Sequence, residues 1–379
     1  MIGYYVHHQG LGHLTRLQAI AEHLRAPVTG ISSLPAPEGW ASDWLHLARD
    51  DGMPAAEAAG ADPTAGGVLH WVPRHDPGLA GRAAALTEWV ARMRPSLVVV
   101  DVSVEVTALL RLCGVPVVVV AMPGERTDRA HALAYDLADA LLAPWPEAAH
   151  AEDWSTARRA KLWAVGGISR FDGRVPSGRR LSIRAPSADI GPWAGGGAPT
   201  GPGSGETATR RVLVVWGGGG RSTSAAEVAA ARAATPGWEW VERGPGSASP
   251  DLWAELASAD VVVTHAGQNS VAEVAAARRP AVVVAQRRPF DEQVATAAAV
   301  DRLGVAVGVP TWPNASAWPG LLERALDRGG KAWRQWSTGH GAASAAARLD
   351  ELADEHGGEH GGEHSGEHSG AVHHVRTAS

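Results

Sequence analysis

The sequence has little cysteine and no long apolar run, and each shortage excludes a class of protein. One cysteine, Cys113, is present among 379 residues, so an internal disulfide is excluded and a reducing, cytoplasmic compartment is expected. The longest apolar runs, such as residues 115–122, are far short of the ~20 residues that a membrane-spanning helix needs. No basic and apolar leader precedes the first predicted strand, so no secretory signal is expected.

An excess of positive charge is also missing. The formal net charge is -6, which gives no support for nucleic acid or an anionic membrane as the main partner. Peripheral contact with a membrane stays open. Hydrophobic residues make up 45% of the chain and charged residues 20%, which is the composition of a globular protein long enough for two domains.

What is present is the same order of elements, twice. Ile2–Val6 is a short apolar strand that leads into a glycine turn and a helical pattern, and residues 212–216 lead into four glycines and an alanine-rich helix. Further valine-rich runs follow in each half, at residues 97–101, 115–121, 260–264 and 281–285. Continuous apolar strands separated by helical patterns are typical of parallel sheets with both faces covered. We therefore predict an α/β protein with two Rossmann-like, doubly wound domains.

Composition divides the chain into four segments. Residues 174–210 are rich in glycine, proline and serine and are predicted to be a linker. The glutamate, histidine and glycine repeat of residues 355–370 predicts a disordered tail, which is either simply solvated or a chelator of a transition metal through its histidines. The predicted segments are an N-terminal domain (1–173), the linker (174–210), a C-terminal domain (211–353) and the tail (354–379).

The first glycine turn fits neither common phosphate-binding pattern. Gly10 and Gly12 lack the third glycine of a dinucleotide fingerprint, because Thr15 takes its place, and no Walker A lysine follows. His13 and Arg16 are three residues apart and share one helix face near the helix start. The helix dipole tends to keep His13 neutral there. A neutral imidazole at the end of a parallel strand is suited to remove a proton from a hydroxyl group.

The second half provides a predicted anion site. A helix is expected to open near residues 268–270, where backbone amides and the hydroxyl of Ser270 would receive phosphate oxygens. Glu273 lies on the same helix face and could accept the hydroxyls of a ribose. Asp291 is either an N-cap or part of the site, and Glu292 and Gln293 would then lie in the first turn of the next helix.

These motifs together resemble the GT-B glycosyltransferases, specifically the family 28 branch that contains the peptidoglycan N-acetylglucosaminyltransferase that makes lipid II. Three segments carry the resemblance: residues 10–16, residues 217–220, and the block "HAGQNSVAEVAAARRPAVVV…RRPFDEQ". The resemblance implies two Rossmann-like domains that face each other across a cleft. It further implies an acceptor bound by the N-terminal domain and a nucleotide diphosphate sugar, usually a UDP-sugar, bound by the C-terminal domain.

The resemblance also implies residue roles. His13 is the expected catalytic base, in an acceptor-side loop with Gly10, Gly12 and Arg16. The diphosphate is expected at residues 218–222 and 267–270, the ribose at Glu273, and the donor sugar at Glu292 and Gln293. The full expected nucleotide-sugar site is Gly217, Gly218, Gly219, Gly220, Arg221, Ser222, His265, Ala266, Gly267, Gln268, Asn269, Ser270, Glu273, Asp291, Glu292 and Gln293.

The expected reaction is an inverting, metal-independent sugar transfer without a cofactor. No Asp-x-Asp occurs in the chain, so the carboxylate pair that commonly brings a metal to a sugar diphosphate is missing. The acceptor hydroxyl is unknown and belongs to either a lipid-linked or a small molecule. Arg126 and Arg129 are either acceptor contacts or ordinary surface charges.

Two alternatives stay open. The pattern Gly-x-Gly-His-x-x-Arg also resembles a UDP-sugar hydrolase of the same fold, in which water replaces the acceptor. A non-catalytic sugar-nucleotide-binding protein is the least favoured alternative, because it leaves His13 without a role.

Overall fold

The computed structural model describes residues 1–150, 154–176 and 209–358. These residues form two parallel β-sheets, one of seven strands and one of five, with helices between most successive strands. Alternate residues of strand Leu97–Asp101 belong to two different apolar clusters, one on each side of the first sheet. Valine-rich strands of this kind are stable only when both faces of the sheet are covered. The predicted α/β class with two doubly wound sheets is therefore confirmed.

The N-terminal sheet has the strand order β3-β2-β1-β4-β5-β6-β7. Its strands are β1 (Ile2–Val6), β2 (Val28–Ser32), β3 (Asp43–His46), β4 (Leu97–Asp101), β5 (Val117–Val120), β6 (Ala140–Ala143) and β7 (Leu162–Ala164). Its helices are α1 (Leu11–Ala21), α2 (Ala55–Gly60), α3 (Pro77–Met93), α4 (Val104–Leu112), α5 (Arg129–Leu137) and α6 (Thr156–Ala160).

The C-terminal sheet has the strand order β12-β11-β10-β8-β9. Its strands are β8 (Arg210–Val215), β9 (Trp238–Arg243), β10 (Val261–His265), β11 (Ala281–Val284) and β12 (Val307–Val309). The helices that follow in the chain are α7 (Ala225–Ala233), α8 (Leu252–Ser258), α9 (Gln268–Ala277), α10 (Glu292–Arg302), α11 (Trp318–Arg328) and α12 (Gly341–Gly358).

The strand order places a crevice in each domain. In the N-terminal sheet the order reverses between β1 and β4, and in the C-terminal sheet it reverses between β8 and β10. Ligands of open α/β sheets bind at such reversals, beyond the carboxyl ends of the strands. The loops that follow β1, β8 and β10 are the same three segments in which the sequence predicted the site.

Helix α12 corrects the predicted end of the second domain. It runs from Gly341 to Gly358, so residues 354–358, predicted to belong to a disordered tail, are helical. It packs on the N-terminal domain, where Ala345, Ala346 and Leu349 are buried in one cluster with Leu17 of α1. The apolar face of α12 is covered by α1 and the first sheet, which stabilises the helix beyond the point where the glycine-rich repeat starts.

Two predicted segments lie largely outside the described residues: 177–208 of the linker and 359–379 of the tail. Among the helices that the structure describes, none combines the length and the apolar character that crossing a membrane requires.

Candidate active site

The turn after β1 brings His13 to the edge of the sheet. Gly10 precedes α1 with a φ of 95°, a conformation that residues with a side chain rarely adopt. Helix α1 then begins at Leu11, which places His13 in its first turn. The carbonyl oxygen of Gly12 accepts a hydrogen bond from Asn269 Nδ2 of the other domain at 3.0 Å. The predicted acceptor-side loop therefore lies directly against the predicted phosphate site.

His13 is held by a buried carboxylate that the sequence analysis did not assign to the site. Its Nδ1 lies 2.8 Å from Oδ1 of Asp101, the last residue of β4. Asp101 is fully buried and lies beside Val6, because β4 pairs with β1 in parallel register. A charged residue at the end of an apolar strand was the signal in the sequence, since such positions in parallel sheets are often functional.

The electrostatic surroundings keep Asp101 ionised. Burial favours its neutral form, but the positive charge of Arg16 and the interaction with His13 hold the pKa of Asp101 below its ordinary value. Arg16 Nη1 donates to both carboxylate oxygens at 2.8 Å. An ionised carboxylate accepts hydrogen bonds only, so His13 Nδ1 carries a proton, and in the neutral imidazole Nε2 is then the nitrogen with the free lone pair.

Arg16 is a buried residue that contacts both domains. The residue is only 4% exposed, and its Nη2 donates to Gln268 Oε1 at 2.6 Å. The guanidinium therefore spans from Asp101 to the first residue of α9. Its geometry is that of a positioning residue for the His13–Asp101 pair.

An interdomain cavity of about 250 Å³ collects most of the predicted site. The predicted residues that line it are Gly10, Gly12, His13, Arg16, Gly217, Gly218, Gly219, Gly220, His265, Ala266, Gly267, Gln268, Asn269, Ser270, Glu292 and Gln293. Four predicted residues do not line it: Arg221, Ser222, Glu273 and Asp291.

Three buried polar atoms at this cavity have no protein partner within the described ranges. They are His265 Nε2, Gln268 Nε2 and Gln286 Nε2, and all three residues line the cavity. Burial, followed by the charges of Arg288 and Arg221, lowers the pKa of His265 to about 4, so its imidazole is neutral near pH 7. Buried polar groups are nearly always hydrogen-bonded, so these atoms indicate where a polar ligand binds.

Arg288, not Arg221, is the arginine at the glycine loop. Arg288 Nη2 donates to the carbonyl oxygen of Gly219 at 2.5 Å and to Gln286 Oε1 at 3.2 Å. Arg221 turns away, with its Nη1 3.1 Å from Glu242 Oε2. Arg288 was not predicted from the sequence, although it belongs to the "RRPFDEQ" run that carried the resemblance.

Glu273 has a different partner in the structure. It lies on α9, is mostly buried and pairs with Arg170 Nε at 2.8 Å. Burial raises the pKa of Glu273, and the charge of Arg170 opposes that shift. A ribose contact through Glu273 would require Arg170 to give way, and this role stays a prediction.

The start of α10 joins the domains on the other side of the cleft. Asp291 occupies the N-cap position without a side-chain capping hydrogen bond, and Gln293 Oε1 accepts from the backbone amide of Gln286 at 3.0 Å. Glu292 Oε2 lies 3.2 Å from Nη2 of Arg126. Arg126 is only 6% exposed, so the alternative that it is an ordinary surface charge is wrong.

A second cavity lies within the N-terminal domain, beside the first. Its volume is about 310 Å³, and Gln9 and Met122 line both cavities. It is lined further by His7, whose ring centroid is 6.4 Å from that of His13. This cavity, which we call the N-terminal cavity, is the space from which a second substrate can approach His13.

The fold is that of the GT-B glycosyltransferases. The chain is similar to the glycosyltransferase of kitacinnamycin, with a TM-score of 0.57 and 16% identity over 93% of this chain and 98% of that one. It is also similar to MurG of Acinetobacter baumannii (TM-score 0.54, 14% identity, 93% and 99% covered). A third neighbour is the spinosyn rhamnosyltransferase SpnG complexed with thymidine diphosphate (TM-score 0.51, 18% identity, 94% and 96% covered).

The C-terminal domain also carries a sequence match. Residues 249–325 match the glycosyltransferase family 28 C-terminal domain. This match confirms the resemblance to family 28 and supports the assignment of the chain as a glycosyltransferase. No curated protein sequence matches the chain.

Proposed function

We propose that the protein is an inverting, metal-independent glycosyltransferase that moves a sugar from a UDP-sugar to a hydroxyl group of an acceptor. The observation that carries the proposal is the His13–Asp101 contact of 2.8 Å at the interdomain cavity, opposite the start of α9. An imidazole oriented by a buried carboxylate, with its other nitrogen free, is the arrangement of a general base.

In the proposed reaction, the acceptor hydroxyl lies against Nε2 of His13. Nε2 takes the hydroxyl proton while the oxygen forms a bond to the anomeric carbon. The bond from that carbon to the diphosphate oxygen breaks at the same time, and the diphosphate leaves with the electron pair from the opposite face. Asp101 stabilises the imidazolium that forms, and general-base help of this kind contributes ~10²–10⁴-fold to the rate.

The leaving diphosphate is stabilised by groups of the C-terminal domain. Backbone amides at the start of α9 and the guanidinium of Arg288 face the interdomain cavity and suit an oxyanion. The unpartnered atoms of His265 and Gln268 offer further hydrogen bonds. These groups provide positive charge and donors without a metal ion, and the proposal includes no cofactor.

A nucleoside diphosphate as the donor is supported by one structural neighbour, which was solved with thymidine diphosphate. The single cysteine supports a reducing, cytoplasmic compartment.

The hydrolase alternative keeps the same residues and replaces the acceptor with water. The N-terminal cavity favours transfer, because water alone needs no such space beside His13. A transferase must also keep water from the donor until the acceptor arrives.

The test follows the fate of the sugar of a labelled UDP-sugar. We expect slow release of free sugar without acceptor, and at least ~100-fold faster release of UDP with a cell extract that contains the acceptor. His13→Ala should abolish both while the Kd for UDP stays within a few-fold. Rapid acceptor-free release that depends on His13 would establish the hydrolase instead.

A further inference from the structure

The N-terminal cavity is small and has both apolar and acidic walls. Its volume of about 310 Å³ corresponds to roughly ten water-sized groups, which fits one substituted ring. Trp71 and Tyr135 contribute aromatic surface. Among the described residues that line it, the titratable side chains are carboxylates, histidines and one tyrosine, and none is an arginine or a lysine.

Two of the carboxylates in this cavity are neutralised by arginines. Asp50 forms an ion pair with the buried Arg82, and Asp51 lies 2.5 Å from Nη2 of Arg49. These ion pairs leave little net charge on the side of the N-terminal cavity that Asp50 and Asp51 form.

Glu105 has no such compensation. Its Oε1 accepts from the backbone amides of His70 and Trp71 at 2.7 and 3.1 Å, and its Oε2 accepts from Ser103 Oγ at 3.0 Å. All three donors are uncharged, and no ion pair in the described part of the chain includes Glu105. The side chain is therefore held in place as a carboxylate with its charge unbalanced.

A second carboxylate, Asp128, lies behind the histidines of the same wall. Asp128 Oδ1 lies 3.3 Å from His70 Nε2, and its Oδ2 lies 2.5 Å from His131 Nδ1. Arg126 Nη1 lies 3.1 Å from His131 Nε2. Since arginine can only donate, His131 accepts at Nε2 and donates from Nδ1, which makes it neutral. Asp128 consequently keeps its negative charge beside a neutral imidazole.

An independent observation indicates that a ligand binds here. His8 lines the N-terminal cavity and is only 8% exposed, yet its Nδ1 has no hydrogen-bond partner among the described residues. The nearest carboxylate oxygen, Asp50 Oδ1, is 3.7 Å away, too far for a hydrogen bond. A hydroxyl group of a bound molecule would satisfy this atom.

A metal ion fits these groups less well than an organic cation. The clusters His70, Asp128, His131 and His8, Asp50, Asp51 each have ligand atoms within 4.8 Å of one another. However, both nitrogens of His131 already have partners, and Asp50 and Asp51 are paired with arginines. Glu105 belongs to neither cluster, and its negative charge is the one for which a positively charged ligand is needed.

The geometry points to an acceptor that is a small polyhydroxylated ring carrying a protonated amine, with the amine beside Glu105 and a ring hydroxyl at His8. Asp128, behind His70 and His131, adds negative charge on the same side of the cavity, and Trp71 covers the ring. This inference rests on the proposed function, because it names the class of molecule whose hydroxyl meets His13.

The test uses three probes that differ at one position: glucosamine, N-acetylglucosamine and glucose. Their dissociation constants are measured by calorimetry on the full chain without donor. We expect glucosamine to bind at least about tenfold more tightly than either neutral probe, the gain of a charge-assisted hydrogen bond.

Glu105→Gln should remove this preference and leave the Kd for UDP unchanged. Glutamine still accepts from the amides of His70 and Trp71, so the local fold is retained. Glu88→Gln is the matched control, because Glu88 lies on α3 with a side chain that is 77% exposed, and it should keep the preference.

Absent or equal binding of the three probes overturns the inference, and this comparison needs only the wild-type chain. A preference that survives Glu105→Gln, or that Glu88→Gln removes equally, also overturns it. These results leave the proposed function untouched, since transfer to a neutral acceptor would still depend on His13. Failure of UDP-sugar turnover with every acceptor would instead refute the proposed function.

Discussion

Replacing Asp101 with asparagine should separate catalysis from folding at the centre of the proposed mechanism. Asp101 is fully buried and lies 2.8 Å from His13 Nδ1. The asparagine amide can donate to Nδ1, which moves the imidazole proton to Nε2, where the acceptor hydroxyl should lose its proton. The base is then blocked, and we expect kcat to fall by ~10³-fold, within the range of general-base catalysis. The Kd for UDP should stay within a few-fold.

The same substitution also costs stability. Both oxygens of Asp101 accept from Arg16 Nη1 at 2.8 Å, and Arg16 is itself buried. An unpaired buried charge lowers the free energy of unfolding by ~3–5 kcal/mol. The double variant Asp101→Asn with Arg16→Met removes both charges, so most of this loss should be recovered.

The assay therefore compares three proteins, the wild type and the single and double variants. Denaturant unfolding gives the free energy of unfolding, and steady-state release of UDP gives kcat. We expect the double variant to be nearly as stable as the wild type while its kcat stays low. Recovery of kcat together with stability would show that Asp101 has only a structural role. A single variant with kcat within threefold of the wild type would refute the assignment of His13 as the base.

Three further predictions concern the donor site and pH. Glu273→Ala should weaken UDP binding by roughly 1.5–3 kcal/mol if Glu273 contacts the ribose, and an unchanged Kd in calorimetry would remove it from the site. Activity should survive EDTA on protein cut after Gly358, which keeps α12 and removes all but the first unit of the histidine repeat; loss restored by magnesium would contradict this. The pKa of His265 is about 4 in the folded protein and ~6.5 in an unfolded chain. The unfolded chain therefore takes up a proton first, so the melting temperature should fall from pH 6.5 to pH 4. His265→Asn should make that fall smaller, while His7 and His131, whose pKa values are also lowered to about 4, keep part of it.

The parts of the fold that sequence predicts best are those that short segments encode. Strand Ile2–Val6 and helix α9 could be placed because an apolar run or a helical period needs only neighbouring residues. The glycines before His13 and the block around Gly267 marked strand ends in the same local way. Both segments line the interdomain cavity.

Contacts between residues that are far apart in the sequence could not be predicted. Asp101 is 88 residues from His13, Glu292 is 166 residues from Arg126, and Gln268 is 252 residues from Arg16. Such pairs follow from strand order and domain closure, which no local pattern encodes. Glu273 was predicted to contact a ligand, but it does not line the interdomain cavity, and its observed partner, Arg170, comes from the segment before the linker.

Helix α12 has a consequence for how the protein is made. The apolar surface around Leu17 is covered by residues 342–353, which follow the whole C-terminal domain in the chain. During synthesis the first domain must therefore wait for the end of the chain before its core is closed. A fragment ending at residue 173 would expose that surface and should aggregate. Exchange of whole domains with another glycosyltransferase would need two junctions, one before β8 and one before Gly341.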